Sequence, residues 1–178
     1  MIKNDHNFKP IEGKYVNLRE IEITDAEFIL ELRTKGKGAK FLHETSTNVN
    51  KQIEYLQRYK QLDNEWYFIV ENKMHYPLGC LSAYDIQENS ACTGRWVMSK
   101  SAKLQESIEG DLLLKNFVFN ILEKDNLRTD TKHSNKNMIN YFKIWKCDVI
   151  DDDGDLYYFN LSKNVYKDVK SLIMRFCK

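Results

Sequence analysis

The sequence predicts a mixed α/β (α+β) fold, a central twisted mixed sheet flanked by helices. Two observations predict it. Short blocks rich in β-branched and aromatic residues, at 66–70 and 156–161 above all, stand among segments whose apolar residues recur at helical spacing. The blocks follow one another as β-α-α-β-β-β-α-β-α-β, which sets an antiparallel meander in front and a βαβ unit behind. A chain of 178 residues suits one domain, read here as 1–178 with 1–9 a flexible N-terminus.

Residues 15–21 alternate as a first strand. Thr24, with Glu27 three residues on, reads as a capping box that opens a helix. Ala26, Ile29, Leu30 and Leu32 give that helix an apolar face, and Gly36 and Gly38 amid lysines end it. Residues 41–47 read as loop. A second helix over about 50–61 sets Ile53, Leu56 and Tyr55 or Tyr59 on one side. The strand at 66–70 turns through 71–76 into a returning strand at 78–86, and 87–90 turn into another at 92–98. There the apolar period changes from 2 to 3.6, with Ile108, Leu112, Leu113, Val118 or Phe119, and Leu122 marking a helix. A short strand at 127–132, a helix at 135–146 and a strand at 156–161 follow, and 162–178 is expected to be helical in part. The acidic run 151–155 lacks the spacing and the closing Glu of a calcium loop, and reads as a solvated hairpin turn.

Composition excludes several classes of function. Lys and Arg number 27 against 26 Asp and Glu, and a net charge of +1 gives no global attraction to DNA, RNA or an anionic membrane. No apolar run approaches the roughly 20 residues that span a bilayer, and residues 1–10 contain no apolar signal core. Cys80, Cys92, Cys147 and Cys177 show no CxxC spacing, so free thiols in a reducing compartment are preferred over a disulfide or a zinc site. The expectation is a cytoplasmic protein with no metal and no nucleic-acid or membrane partner. A homodimer is left open.

Three stretches resemble one known family. "NLREIEITDAEFILELRT" is similar to its first strand and helix, "YFIVENKMHYPLGCLSAYDI" to its strand-hairpin-strand, and "NFVFNILEKDNLRTDTKHSNKNMINYFKIWKCDV" to its later helix-strand-helix run. The family is the GNAT (GCN5-related) N-acetyltransferase superfamily, in the branch of ribosomal-protein and amino-sugar N-acetyltransferases. The resemblance implies a splay between the fourth and fifth of the strands read above, at 92–98 and 127–132. It also implies acetyl-CoA as acyl donor, its pantetheine arm pairing like an added strand with the backbone of Trp96, Val97 and Met98. The CoA pyrophosphate is expected at the next helix N-terminus. The family's Q/R-x-x-G-x-G/A loop falls on 102–107, which brings Lys103, Gln105, Glu106 and Ser107 to the cofactor. No glycine stands there, Ser107 alone fits a small position, and Glu106 and Glu109 oppose an anion. Asn135 caps a helix and, in relatives, also contacts the cofactor arm. Many relatives place a Tyr near the acyl sulfur as proton donor. Phe142 aligns with it, and Tyr141 lies beside it, about 100° around the helix.

Acyl transfer to an amine needs a group that accepts the amine's proton. Asp85 and Glu44 are the candidate bases, and His43 titrates near neutrality. Arg95, in an otherwise apolar strand, is either a cleft cation for substrate phosphate or carboxylate or an outward-facing residue. Tyr84, Trp96 and Trp145 could stack on a base or sugar face, or fill the core. No cysteine has a nucleophile's surroundings, so direct transfer is expected. The resemblance implies a primary amine acceptor, an amino sugar on a nucleotide carrier in surface-polysaccharide biosynthesis. The alternatives are a protein N-terminal amine, or a GNAT-fold protein that binds a ligand or partner without catalysis.

Overall fold

The run Trp-Tyr-Phe-Ile-Val at 66–70 does not alternate because both faces of its strand are covered. In the computed structural model, which describes residues 8–42 and 46–177, this strand is β3 (Trp66–Asn72). Trp66, Phe68 and Val70 enter one core, and Tyr67 and Ile69 enter another on the opposite face. The other strands are β1 (Ile11–Glu12), β2 (Val16–Glu20), β4 (Pro77–Tyr84), β5 (Ser90–Met98), β6 (Asn126–Lys132), β7 (Asp148–Asp152) and β8 (Leu156–Ser162). They form one sheet in the order β1-β2-β3-β4-β5-β6-β8-β7, antiparallel throughout except for the parallel pair β5–β6.

Helices α1 (Ala26–Lys35) and α2 (Val49–Tyr59) cover one face through Ile29, Leu32, Leu56 and Tyr59. Helices α3 (Leu104–Asn116) and α5 (Lys163–Ile173) cover the other through Leu112, Leu114, Tyr166 and Val169. A π-helical turn, Phe117–Ile121, continues α3 and buries Phe117, Val118 and Phe119. Helix α3 lies so close to the sheet that a Cβ at Gly110 would come within 3.3 Å of both Val70 methyls. Helix α4 (Lys136–Ile144) follows β6.

Several expectations are corrected by the local chemistry. The first helix is not opened by Thr24: a 3-10 turn, Ile23–Asp25, precedes it, and Asp25 Oδ2 accepts the Glu22 N–H at 2.8 Å. Arg19 grips that carboxylate with two bonds (2.7 and 2.8 Å) and reaches Glu71 at 3.2 Å, so one cation fixes β2, β3 and the helix start together. The acidic run is only partly a turn. Asp151 and Asp152 close the edge strand β7, every residue of which is exposed, which is why no apolar pattern announced it. Glu109 is turned away from the expected cofactor loop. Its carboxylate accepts the backbone N–H groups of Lys14, Tyr15 and Val16 at 2.9, 2.6 and 2.8 Å, tying the chain's start to α3.

Candidate active site

Strands β5 and β6 pair only at Ser90↔Asn126, Ala91↔Leu127 and Cys92↔Arg128, and diverge beyond. A bulge helps them part. Cys80 faces Val97 and Ser82 faces Gly94, so two steps of β4 meet three of β5. Arg95 stands in the left-handed region at φ 52°, a conformation that costs a non-glycine residue energy and gathers at functional sites. The extra residue re-phases the strand. Ala91 and Met98 both enter the α3-side core although they are seven residues apart, an odd interval that strict alternation forbids. Arg95 is thereby turned to the α1/α2 side, and Trp96 to the α3/α4 side, where its ring lies 5.5 Å from that of Tyr141.

The gap is a cleft of about 810 Å³ that runs between the two faces of the sheet. Its α1/α2 side is cationic. Arg33, Lys40 and Arg95 line it, with Tyr84 and Asp130, while the Lys37 ammonium donates to the Ala102 carbonyl in the loop before α3 at 2.6 Å. The Arg95 guanidinium reaches Glu65 at 2.9 Å and lies 4.8, 5.6 and 5.8 Å from the ring centroids of Tyr84, Tyr67 and Tyr55. A second cavity of about 280 Å³ shares Arg33 and Arg95 with the first and adds Lys51, Gln52 and Tyr55. The Tyr55 hydroxyl is buried there with no hydrogen-bond partner among the described residues. Burial pushes the Tyr84 hydroxyl up to about 12, and the charge of Asp130 adds to the shift.

The α3/α4 side is enclosed. Asp111, Leu114 and Lys115 of α3 face Asn135, Met138 and Phe142 around α4. Lys115 Nζ lies 2.5 and 2.6 Å from the Asp111 carboxylate oxygens, and the Tyr141 hydroxyl donates to Asp111 Oδ2 at 2.5 Å.

The predicted residues scatter around this cleft. Tyr84, Arg95, Trp96, Met98, Ser107, Asn135 and Phe142 all line it. Asn135 also caps α4, its side chain accepting the Met138 N–H at 3.4 Å. Val97 points instead into the α1/α2 core, and the Met98 carbonyl takes the Lys37 N–H at 2.8 Å. Lys103, Gln105 and Glu106 stand off the cleft wall. The Glu106 carboxylate accepts the Lys103 N–H at 2.7 Å, so α3 carries its own anion at the end expected to receive a pyrophosphate.

Tyr141 donates a hydrogen bond from its hydroxyl to Asp111 and does not line the cleft. Asp85 is set apart as well. It lies past the end of β4, beside the paired end of β5 and β6, and its carboxylate engages Arg128 at 2.9 Å and Gln87 at 3.2 Å. His43 and Glu44 lie outside the described residues. Trp145 is fully buried in the α3-side core. Sequence reasoning missed Asp111, Lys115 and Asp130. The signal for the first two was present: an Asp and a Lys four residues apart inside a helix at positions an apolar face should fill.

Burial pushes the Cys80 and Cys147 thiols up to about 11 and raises Cys92 too, which deprives all three of the thiolate a nucleophile needs. No group of three metal-ligating side chains occurs among the described residues, and no helix there is long and apolar enough to cross a membrane.

No family model and no curated protein sequence matches the chain. Solved structures do. The nucleotide-linked sugar GNAT FdhC, in its apo form, superposes with a TM-score of 0.85 at 25% identity, over 96% of this chain and 99% of its own. The chain has the GNAT N-acetyltransferase fold. A GCN5-related N-acetyltransferase from Brucella melitensis matches at TM-score 0.78 and 16% identity over 96% of this chain and 86% of that one. A spermidine N-acetyltransferase SpeG mutant from Vibrio cholerae matches at 0.74 and 14%, over 85% and 96%. The divergence of β5 from β6 is thus the GNAT splay.

The splay suits a thioester arm. Beyond Cys92 the side of β5 turned from β4 has no strand partner among the described residues save the isolated bridge Lys37↔Met98. The indole N–H of Trp96 is buried beside it without an acceptor among the described residues. Thr93, Trp96, Met98, Asn135 and Phe142 would hold the arm, and Ser107 would meet its phosphate end. What the bound donor supplies is an acetyl group on a leaving thiol.

Proposed function

We propose that this GNAT transfers an acetyl group from acetyl-CoA to the primary amine of an anionic small molecule, a nucleotide-linked amino sugar, in the cytoplasm. The observation that carries the reading is the charge of the acceptor side. Arg33, Lys40 and Arg95 line the cleft there, and Lys51 extends the set into the second cavity. Among the described residues, Asp130 and the Arg95-bound Glu65 are the acidic groups beside them. Cations so placed attract a diphosphate and repel a polyamine. Guanidinium groups are also suited to bind phosphate through two parallel hydrogen bonds. The likeness to a nucleotide-linked sugar GNAT supports the same acceptor class.

In this reading Asp130 receives the amine's proton. Alternation from Leu127, which enters the α3-side core, turns Asp130 to the acceptor side, where its charge is felt by Tyr84. The amine nitrogen attacks the thioester carbonyl directly, since none of the Cys80, Cys92 and Cys147 thiols is activated.

One observation favours a second reading, a ligand-binding protein without turnover: the loop before α3 lacks glycine and Glu106 occupies the helix start. An acceptor panel separates the two. With acetyl-CoA as donor, a nucleotide-linked amino sugar is expected to be acetylated with higher kcat/KM than spermidine or an N-terminal peptide. Turnover confined to spermidine or peptide overturns the acceptor class. Acetyl-CoA binding without turnover on any of them favours the second reading.

A further inference from the structure

One cation on the opposite, enclosed side of the cleft has no part in the acceptor reading. Lys115 is 3% exposed, yet it lines the cleft. Its ammonium has three N–H groups. The two oxygens of Asp111 take at most two of them, and the third has no acceptor among the described residues. The ammonium lies 5.0 Å from the Trp145 ring and 5.7 Å from that of Tyr141, which in turn packs on Trp96 of the β5 bulge. The titratable groups around it are Asp111 of α3, Tyr141 of α4, Cys147 beyond α4, and Tyr166 of α5, which senses Asp111.

Packing does not require this arrangement. A buried ion pair contributes little over two apolar side chains of the same size, and each charge alone is costly to bury. Asp111 and Tyr141 hold the ammonium in place without spending its last donor. Lys115 lines the same cleft as Trp96 of the bulge, in the half suited to the thioester arm.

We propose that Lys115 is the cation that receives the departing thiolate, a place left vacant by Phe142 and by the inward-bonded Tyr141. The proposal rests on acetyl-CoA as donor. As the amine nitrogen's lone pair forms the N–C bond, the C–S bond breaks and sulfur keeps its electron pair. The thiolate pairs with the Lys115 ammonium, which keeps its proton, and takes a proton from solvent as CoA leaves. The proton shed by the new ammonium passes to Asp130 and then to solvent, so charge and protons balance over a turnover.

The test uses binding rather than turnover: calorimetry of free CoA and of desulfo-CoA, which has no sulfur, on the wild type and on Asp111→Leu/Lys115→Met. That double variant removes both charges together and avoids stranding one. The wild type should prefer CoA over desulfo-CoA by about tenfold or more, and should lower the bound thiol's pKa by about one unit or more, read from thiolate ultraviolet absorbance. The variant should bind desulfo-CoA as the wild type does, with the preference and the shift both gone. A variant that keeps them overturns the proposal. Should the variant not fold, the wild-type absorbance decides alone: a bound thiol that titrates like free CoA sinks the idea. A wild type that binds neither ligand overturns the donor reading itself, and a wild type that binds both equally overturns only the role of Lys115.

Discussion

The two sides of the cleft handle charge in opposite ways. On the α1/α2 side, Arg33, Lys40 and Arg95 outnumber Asp130 and Glu65 among the described residues. On the α3/α4 side, one Asp and one Lys cancel each other in nearly complete burial, with a tyrosine hydroxyl closing the network. A cluster with more cations than anions suits a ligand that brings its own charge and leaves with it. A neutral buried pair suits a site where charge appears only while a bond is breaking. The contrast teaches which side should take the anionic acceptor and which the thioester.

Asp130 offers the largest way to break this division. Asp130→Asn should lower kcat/KM by about 10²–10⁴ if it takes the amine's proton, with donor affinity unchanged. Wild-type turnover in that variant would hand the proton to water and remove Asp130 from the chemistry.

Next in size is a difference in stability. Lys115→Met alone strands a buried Asp111 carboxylate and should cost about 3–5 kcal/mol in denaturant unfolding, whereas the Asp111→Leu/Lys115→Met pair should be near neutral or stabilising. Equal losses in the two proteins would mean that the pair is held for packing. On the acceptor side the same kind of change should scarcely touch stability. Arg33→Met should instead raise the acceptor KM by about tenfold or more, a loss that grows smaller as salt screens the wild type.

The smallest expected effect is at the start of α3. Glu106→Gln should cost about 1 kcal/mol of stability or less while tightening CoA, because an anion leaves the helix end where the phosphates are expected. Weaker CoA binding in that variant would place the pyrophosphate elsewhere.

How much of this was legible in the sequence differs by region. The element order could be read because strands and helices bury apolar residues in periods of 2 and 3.6, whereas the splay was expected only from the resemblance to a known family. Strand β7 could not be read, since an exposed edge has no apolar face to show. The bulge could not be read either. A one-residue insertion in a ladder changes which side Arg95 faces and leaves no mark in composition. Asp85 was chosen as a strand-end carboxylate, but the splay opens at the other end of β5, and only the register of β5 on β6 tells which end parts. Asp111 and Lys115 were visible as letters. A charged pair four residues apart is ordinarily a solvated helix face, and only its sharing of the face of Ile108 and Leu112 marks this one as turned inward.

The account's central claim is the assignment of the two sides, and a crystal structure with CoA and a nucleotide-linked amino sugar bound together tests it most directly. The account predicts the acceptor's phosphates among Arg33, Lys51 and Arg95, and the CoA sulfur within hydrogen-bonding distance of Lys115 Nζ. Acceptor phosphates among the α3 and α4 residues, or a CoA sulfur facing Arg95, would contradict it.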